Sequence, residues 1–244
     1  MKFEESSLAK EVIESYKAKD RGRYKTPKEL IAYQSHSVSK LTNCPRKVVW
    51  QAEKPISDTL IEYLIRGTSI HSAFESTQAV TEEYLDYEQI HARVDMIVRN
   101  RPVEGYTTAM SKVFTPDEYP LKVAQLMAYI KMLKELGYKL EENVGEILIY
   151  HLYKKEQKLM SYKISFESEE IEDNWRNIKY NQNQLREYVS SGKIPEMNPT
   201  ATDEYFECRK CEFYIRCYGS NINGNIVCNP SGYEGKDMRV GEIL

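Results

Sequence analysis

Asp95 and Glu104, in the stretch RVDMIVRNRPVEGYTT, are the first side chains whose type and spacing suggest chemistry. On adjacent strands their carboxylates would serve one hard divalent ion, Mg²⁺ or Mn²⁺, the arrangement that metal-assisted hydrolysis uses. Strand side chains alternate, so Glu104, Tyr106 and Thr108 share one face while Val103 and Gly105 take the other. A hydrolytic centre also wants a cation close by, and the residue beside Glu104 on that face is Tyr106, uncharged at neutral pH. His71 and Glu75 stand four apart in an earlier helical stretch, and Gln125 and Tyr129 four apart in a later one, so each pair shares a helix face. Mn²⁺ accepts an imidazole nitrogen, and His71, Asp95 and Glu104 would make such a ligand set. Taken one at a time, the same residues read as a solvated hairpin face and a structural histidine.

Cysteine supplies the second constellation. ECRKCEFYIRCYG carries Cys208, Cys211 and Cys217 in a C-x2-C-x5-C run, a spacing typical of a metal site that lacks one ligand. No histidine follows His151, so the fourth ligand is either Cys228, giving a local zinc ribbon, or the distant Cys44, giving a long-range site.

These residues need a scaffold. Residues 57–83 repeat apolar positions at helical spacing and predict one or two helices, and the first forty residues also read as helical, with Ser37 or Ser39 capping a short helix that runs into Cys44-Pro45. From Tyr87 to Thr108 the pattern alternates, broken by RNRP, as in a β-hairpin. TPDEYPLKVAQLMAYIKMLKELG predicts an amphipathic helix with Thr115 near its start and Gly137 at its end. VGEILIYHLYKK and KLMSYKISF read as two strands, and SEEIEDNWRNIKYNQNQLREYVSSG as a long polar helix. The expected fold class is α/β, an α+β mixed sheet flanked by helices. The expected division is a helical segment over 1–50, a core over 51–198 and a cysteine-bearing end over 199–244.

Composition narrows the function classes. With 244 residues, 41% hydrophobic and 29% charged, the chain can bury a substantial core, and 19 tyrosines make it rich in amphipathic aromatics. No apolar run approaches the ~20 residues of a membrane span, and the polar start lacks a signal-peptide apolar region, so a cytoplasmic protein is expected. A net charge of −3 argues against a globally basic nucleic-acid binder but leaves room for a local groove, such as one holding Arg46, Lys47 and Arg93.

GTSIHSAFE, RVDMIV, VEGYTT and QLMAY fall in the order of a histidine helix, an aspartate strand, an E-x-K strand and a Q-x-x-x-Y helix. In that order the chain resembles the RecB-type nucleases of the PD-(D/E)XK superfamily over most of residues 36–217. The resemblance implies a restriction-endonuclease-like core in which His71, Asp95 and Glu104 bind Mg²⁺ or Mn²⁺, while Gln125 and Tyr129 support the site and contact a DNA strand. The departure is Tyr106, which stands where the family carries lysine. Lys122, three residues before Gln125 on the same helical face, is the first substitute for that missing cation, and Lys112 a weaker one.

SVSKLTNCPRKVVW is similar to the segment around the first cysteine of the iron–sulfur nucleases related to AddB and to the CRISPR-associated RecB-like exonucleases. That likeness implies a [4Fe–4S] cluster on Cys44, Cys208, Cys211 and Cys217, with Cys228 a free thiol. Such a cluster would join the N- and C-terminal parts and, by loop closure, stabilise the fold by on the order of 5 kcal/mol. The implied activity is hydrolysis of DNA, single-stranded or with overhangs, in CRISPR spacer acquisition beside the integrase proteins or in a viral counterpart. The alternative is a catalytically weak or inactive DNA-binding or adaptor subunit, or a viral decoy, that keeps the fold. A zinc-ribbon interaction protein with incidental carboxylates is a third reading.

Overall fold

The computed structural model describes residues 26–54, 80–108, 116, 119–153, 156–196, 208 and 211–218. His71, Lys112, Thr115, Cys228 and the helices expected before residue 26 and over 57–79 lie outside the described residues.

Five strands form one sheet: β1 (Val80–Tyr87), β2 (Ile90–Val98), β3 (Arg101–Thr108), β4 (Val144–Tyr153) and β5 (Glu156–Ser165), in the order β1-β2-β3-β4-β5. The first three are antiparallel neighbours, β3 and β4 run parallel, and β5 returns antiparallel to β4. Both early turns use two consecutive residues at positive φ, Glu88 and Gln89 (50° and 62°) and Arg99 and Asn100 (50° and 61°). That backbone twist suits a two-residue hairpin connection. The hairpin expected from Tyr87 is thus a three-stranded meander that begins at Val80, and residues 80–83 are strand where helix was expected. Pairing with β2, from Val80↔Ile97 to Tyr87↔Ile90, outweighs the weak helical spacing of that stretch.

The helices are α1 (Pro27–Gln34), α2 (Val38–Leu41), α3 (Pro45–Glu53), α4 (Pro120–Glu135), α5 (Ser168–Ser191) and α6 (Tyr214–Tyr218). Thr26 and Glu29 close a reciprocal capping box on α1, and Glu167 and Glu170 do the same for α5. The α5 helix ends at Gly192, whose φ of 77° is the left-handed conformation that glycine adopts without penalty. Proline opens α1, α3 and α4, where the missing N–H costs no helical hydrogen bond. For α4 this sets the start at Pro120, later than the Thr115 expected.

Parallel strands need a crossover, and α4 supplies it between β3 and β4. It packs on β3 and β4 and against α5, while α1 lies on α3 and α5. Leu126, Met132 and Leu133 of α4 join Ile147 and Ile149 of β4, Val94 of β2, Ile178 and Leu185 of α5, and Ile31, Leu41 and Val49 of the early helices in one buried core. At Gly145 the helix approaches so closely that a Cβ would lie 2.7 Å from Leu126 Cδ1. No described helix is long and apolar enough to cross a membrane.

Candidate active site

The site forms where two strands part. The β2–β3 ladder pairs Val98↔Arg101, Ile97↔Pro102 and Met96↔Val103, and stops there. One residue further on each strand stand Asp95 and Glu104. Across this fork the Gly105 N–H donates to Asp95 Oδ2 at 2.7 Å, so a carboxylate replaces a strand carbonyl as its acceptor.

Alternation and register put Glu104, Tyr106 and Thr108 beside Ile147, Ile149 and His151 of β4. Glu104 is 1% exposed. Its Oε1 accepts a hydrogen bond from Lys122 Nζ, which reaches over from the first turn of α4. Its buried Oε2 has no hydrogen-bond partner. The Lys122 ammonium also lies 5.8 Å from the centre of the Tyr106 ring, and Tyr119 packs tilted on that ring, with centroids 4.5 Å apart. One turn along α4, Gln125 Nε2 donates to the Tyr129 hydroxyl, which donates in turn to the Arg93 carbonyl at 3.1 Å. Tyr129 thereby fixes β2 two residues before Asp95.

Burial pushes the Glu104 carboxyl up to about 7; Lys122 opposes the rise and the Asp95 charge adds to it. Asp95 is also raised, by burial first, with the Gly105 amide and Lys122 holding it down and Glu82 adding repulsion. Burial and the two carboxylates raise the Tyr129 phenol well above its ordinary range, so it acts as a hydrogen-bond donor at any physiological pH.

Among the described residues no group of three or more His, Cys, Asp or Glu side chains could hold a metal ion. The fork supplies two carboxylates, one with an unsatisfied buried oxygen, which suits part of a hard-ion shell. Of the expected ligands, Asp95 and Glu104 therefore come together, and His71 lies outside the described residues. Of the expected supporting groups, Lys122, Tyr106, Gln125 and Tyr129 all gather at the fork.

The cysteine end docks on α3. Phe213 is buried against Trp50, with ring centroids 5.5 Å apart, and the Arg216 guanidinium lies 4.5 Å over the Trp50 ring. Lys54 and Gln51 both reach Glu212, at 3.1 and 3.2 Å, and Arg216 pairs with Glu53 at 3.2 Å. Cys44 occupies the N-cap position of α3, and Arg46, two residues on, donates to Cys217 Sγ at 3.5 Å. The Cys211 amide donates to the Cys208 carbonyl at 3.0 Å. Burial pushes the Cys211 thiol up, the Phe213 amide and Lys47 oppose this, and the nearby Cys44 sulfur adds to it. Cys44, Cys208, Cys211 and Cys217 are all half-buried and in no disulfide. Arg46 also donates to the Pro195 carbonyl at 2.7 Å, and Arg93 pairs with Glu82 at 3.2 Å on the surface.

Sequence reasoning missed Tyr119, the Gly105 amide, the Arg46 donor and His151. His151 is buried with no partner at Nε2, and burial, aided by Lys158, lowers its pKa. Alternation along β4 places it on the Glu104 face, but only the parallel register with β3 reveals this.

No protein-family model matches the chain, and no curated protein matches it. Among solved structures it is similar to the crystal structure of SSO0001, at 18% identity, covering 74% of this chain and 84% of that one, with a TM-score of 0.40.

Proposed function

We propose that the chain is a metal-dependent DNA nuclease with a restriction-endonuclease-like core, acting on single-stranded DNA or overhangs. The observation that carries this reading is the Lys122 ammonium seated on Glu104, at a fork shared with Asp95. It supports a cation supplied from α4 in place of the lysine missing at position 106. Asp95 and Glu104 would hold Mg²⁺ or Mn²⁺, with His71 a third ligand by the family resemblance. The chemistry such an ion supplies when bound is Lewis acidity toward the phosphoryl oxygen and the attacking water.

The chain's own residues do the rest. Lys122 offers a positioned positive charge to a phosphate entering the fork, the Tyr106 ring beside its ammonium is packed on Tyr119, and Tyr129 with Gln125 fixes the strand that carries Asp95. By the family resemblance, Cys44, Cys208, Cys211 and Cys217 would hold a [4Fe–4S] cluster as a staple, with Arg46 a donor to one of the four sulfurs. By the same resemblance, the setting is CRISPR spacer acquisition beside integrase proteins, or a viral counterpart.

Tyr106 favours a second reading, a DNA-binding adaptor that keeps the fold without the chemistry. A cleavage assay on single-stranded DNA with Mn²⁺, using anaerobically purified protein, separates the two. The nuclease reading expects weak cleavage that falls by ~10²–10³ in Lys122→Ala and changes less in Tyr106→Phe. The adaptor reading expects DNA binding without cleavage, and recovery of cleavage in Tyr106→Lys. Cleavage that survives Lys122→Ala but disappears in Tyr106→Phe would refute both assignments and make the tyrosine the catalytic group.

A further inference from the structure

We infer that Lys122 is an exchangeable placeholder for the divalent ion: its ammonium occupies Glu104 in the metal-free protein and retreats toward the Tyr106 ring when the ion arrives. The inference rests on the reading of Asp95 and Glu104 as metal ligands and says how that site is regulated.

Three observations support it. Glu104 is buried, and Asp95 stands across the same fork, so the ionised pair needs a compensating cation whenever no metal is bound. The ammonium takes only Oε1, and Oε2 lacks a donor of good geometry because the neighbouring Tyr129 hydroxyl is turned to the Arg93 carbonyl, so the carboxylate keeps acceptor capacity for a ligand that engages both oxygens. The retreat is also provided for: the Tyr106 ring centre is 5.8 Å from Nζ, and a lysine ammonium on a flexible four-carbon stem can shift between a carboxylate and an aromatic face. An ion at Oε1 and an ammonium at Oε1 exclude each other by contact and by charge. Lys122 therefore lowers metal affinity while serving the reaction, and Tyr106 is its second seat.

A neighbouring charge at this range is worth one to three decades in proton affinity, so removing the ammonium should tighten Mn²⁺ binding by about tenfold or more. The test is Mn²⁺ affinity, measured from the electron paramagnetic resonance signal of the free ion, on the full chain and on Lys122→Met, Asp95→Ala and Lys193→Met. Lys193 pairs with Glu187 on the surface and controls for the loss of one positive charge. The expected result is one site, about tenfold tighter in Lys122→Met, unchanged in Lys193→Met and lost in Asp95→Ala. If the native chain binds Mn²⁺ and Asp95→Ala does not, but Lys122→Met binds no more tightly, the placeholder is overturned while the metal site stands. If neither the native chain nor Lys122→Met binds Mn²⁺, the metal-site reading fails and the placeholder with it.

Should Lys122→Met fail to fold, the native protein answers instead. Mg²⁺ titration should move the Lys122 ¹³Cε resonance and leave that of Lys193 in place, and an unmoved Lys122 resonance at saturating Mg²⁺ overturns the inference.

Discussion

Replacing Glu104 with glutamine should remove a specific part of the pH dependence of folding. Burial pushes this carboxyl up from an ordinary 4.5 to about 7 in the folded chain. The folded state therefore holds a proton that the unfolded chain has released across that window. The stability contributed by this proton is fully present below pH 4.5 and is lost as pH rises through 7. One proton is worth about 1.4 kcal/mol per pH unit, so the window amounts to about 3 kcal/mol. Lowered carboxyls such as Glu88 and Glu212 act with the opposite sign, which is why the difference between two proteins is the useful quantity. Urea unfolding of the native chain and of Glu104→Gln in metal-free buffer at pH 5, 6, 7 and 8 measures it. The native chain should lose about 2.5 kcal/mol relative to the variant between the two extremes, with the change complete near pH 8. Parallel curves would mean that Glu104 is ionised throughout, and that Lys122 outweighs burial.

Two further outcomes test the scaffold. The cysteine end should yield a brown protein with about four iron atoms per chain, and Cys44→Ala should lose colour and thermal stability together; stoichiometric zinc without iron in anaerobic preparations would defeat the cluster. Gly145→Ala should cost about 1–3 kcal/mol in denaturant unfolding, because its methyl would meet Leu126 at under 3 Å and push α4 off the sheet. Lys122 lies one turn before Leu126, so an unchanged unfolding midpoint would show that the helix yields without strain.

Local rules made much of this fold legible. The α5 helix runs from Ser168 to Ser191 and stops at Gly192, as its long polar pattern and terminal glycine predict, and β4 and β5 fall within two residues of expectation. Helix α3 escaped because Cys44-Pro45 looks like a stop, whereas proline at the first helical position is a start. Strand β1 escaped because VTEEYLDY carries too many acids to alternate cleanly, and only pairing with β2 defines it. At the site, the family resemblance supplied Gln125 and the missing lysine, and helical spacing then singled out Lys122 from its distance to Gln125. The ring of Tyr119 against Tyr106 and the amide of Gly105 on Asp95 come from segments whose approach is tertiary, and no periodicity carries that information.

The fork between β2 and β3 also equips the protein with a built-in reporter. Gly105 lies in a strand, yet its amide proton is held by the carboxylate of Asp95, 2.7 Å from nitrogen to oxygen. A backbone proton in an ordinary ladder senses only whether the ladder is closed. This one senses the charge on a side chain, so protonation of Asp95, or a cation drawing on its oxygens, weakens a main-chain hydrogen bond. One nitrogen-15 resonance, and one rate of hydrogen exchange, can then follow the occupancy of the fork without any label attached to it.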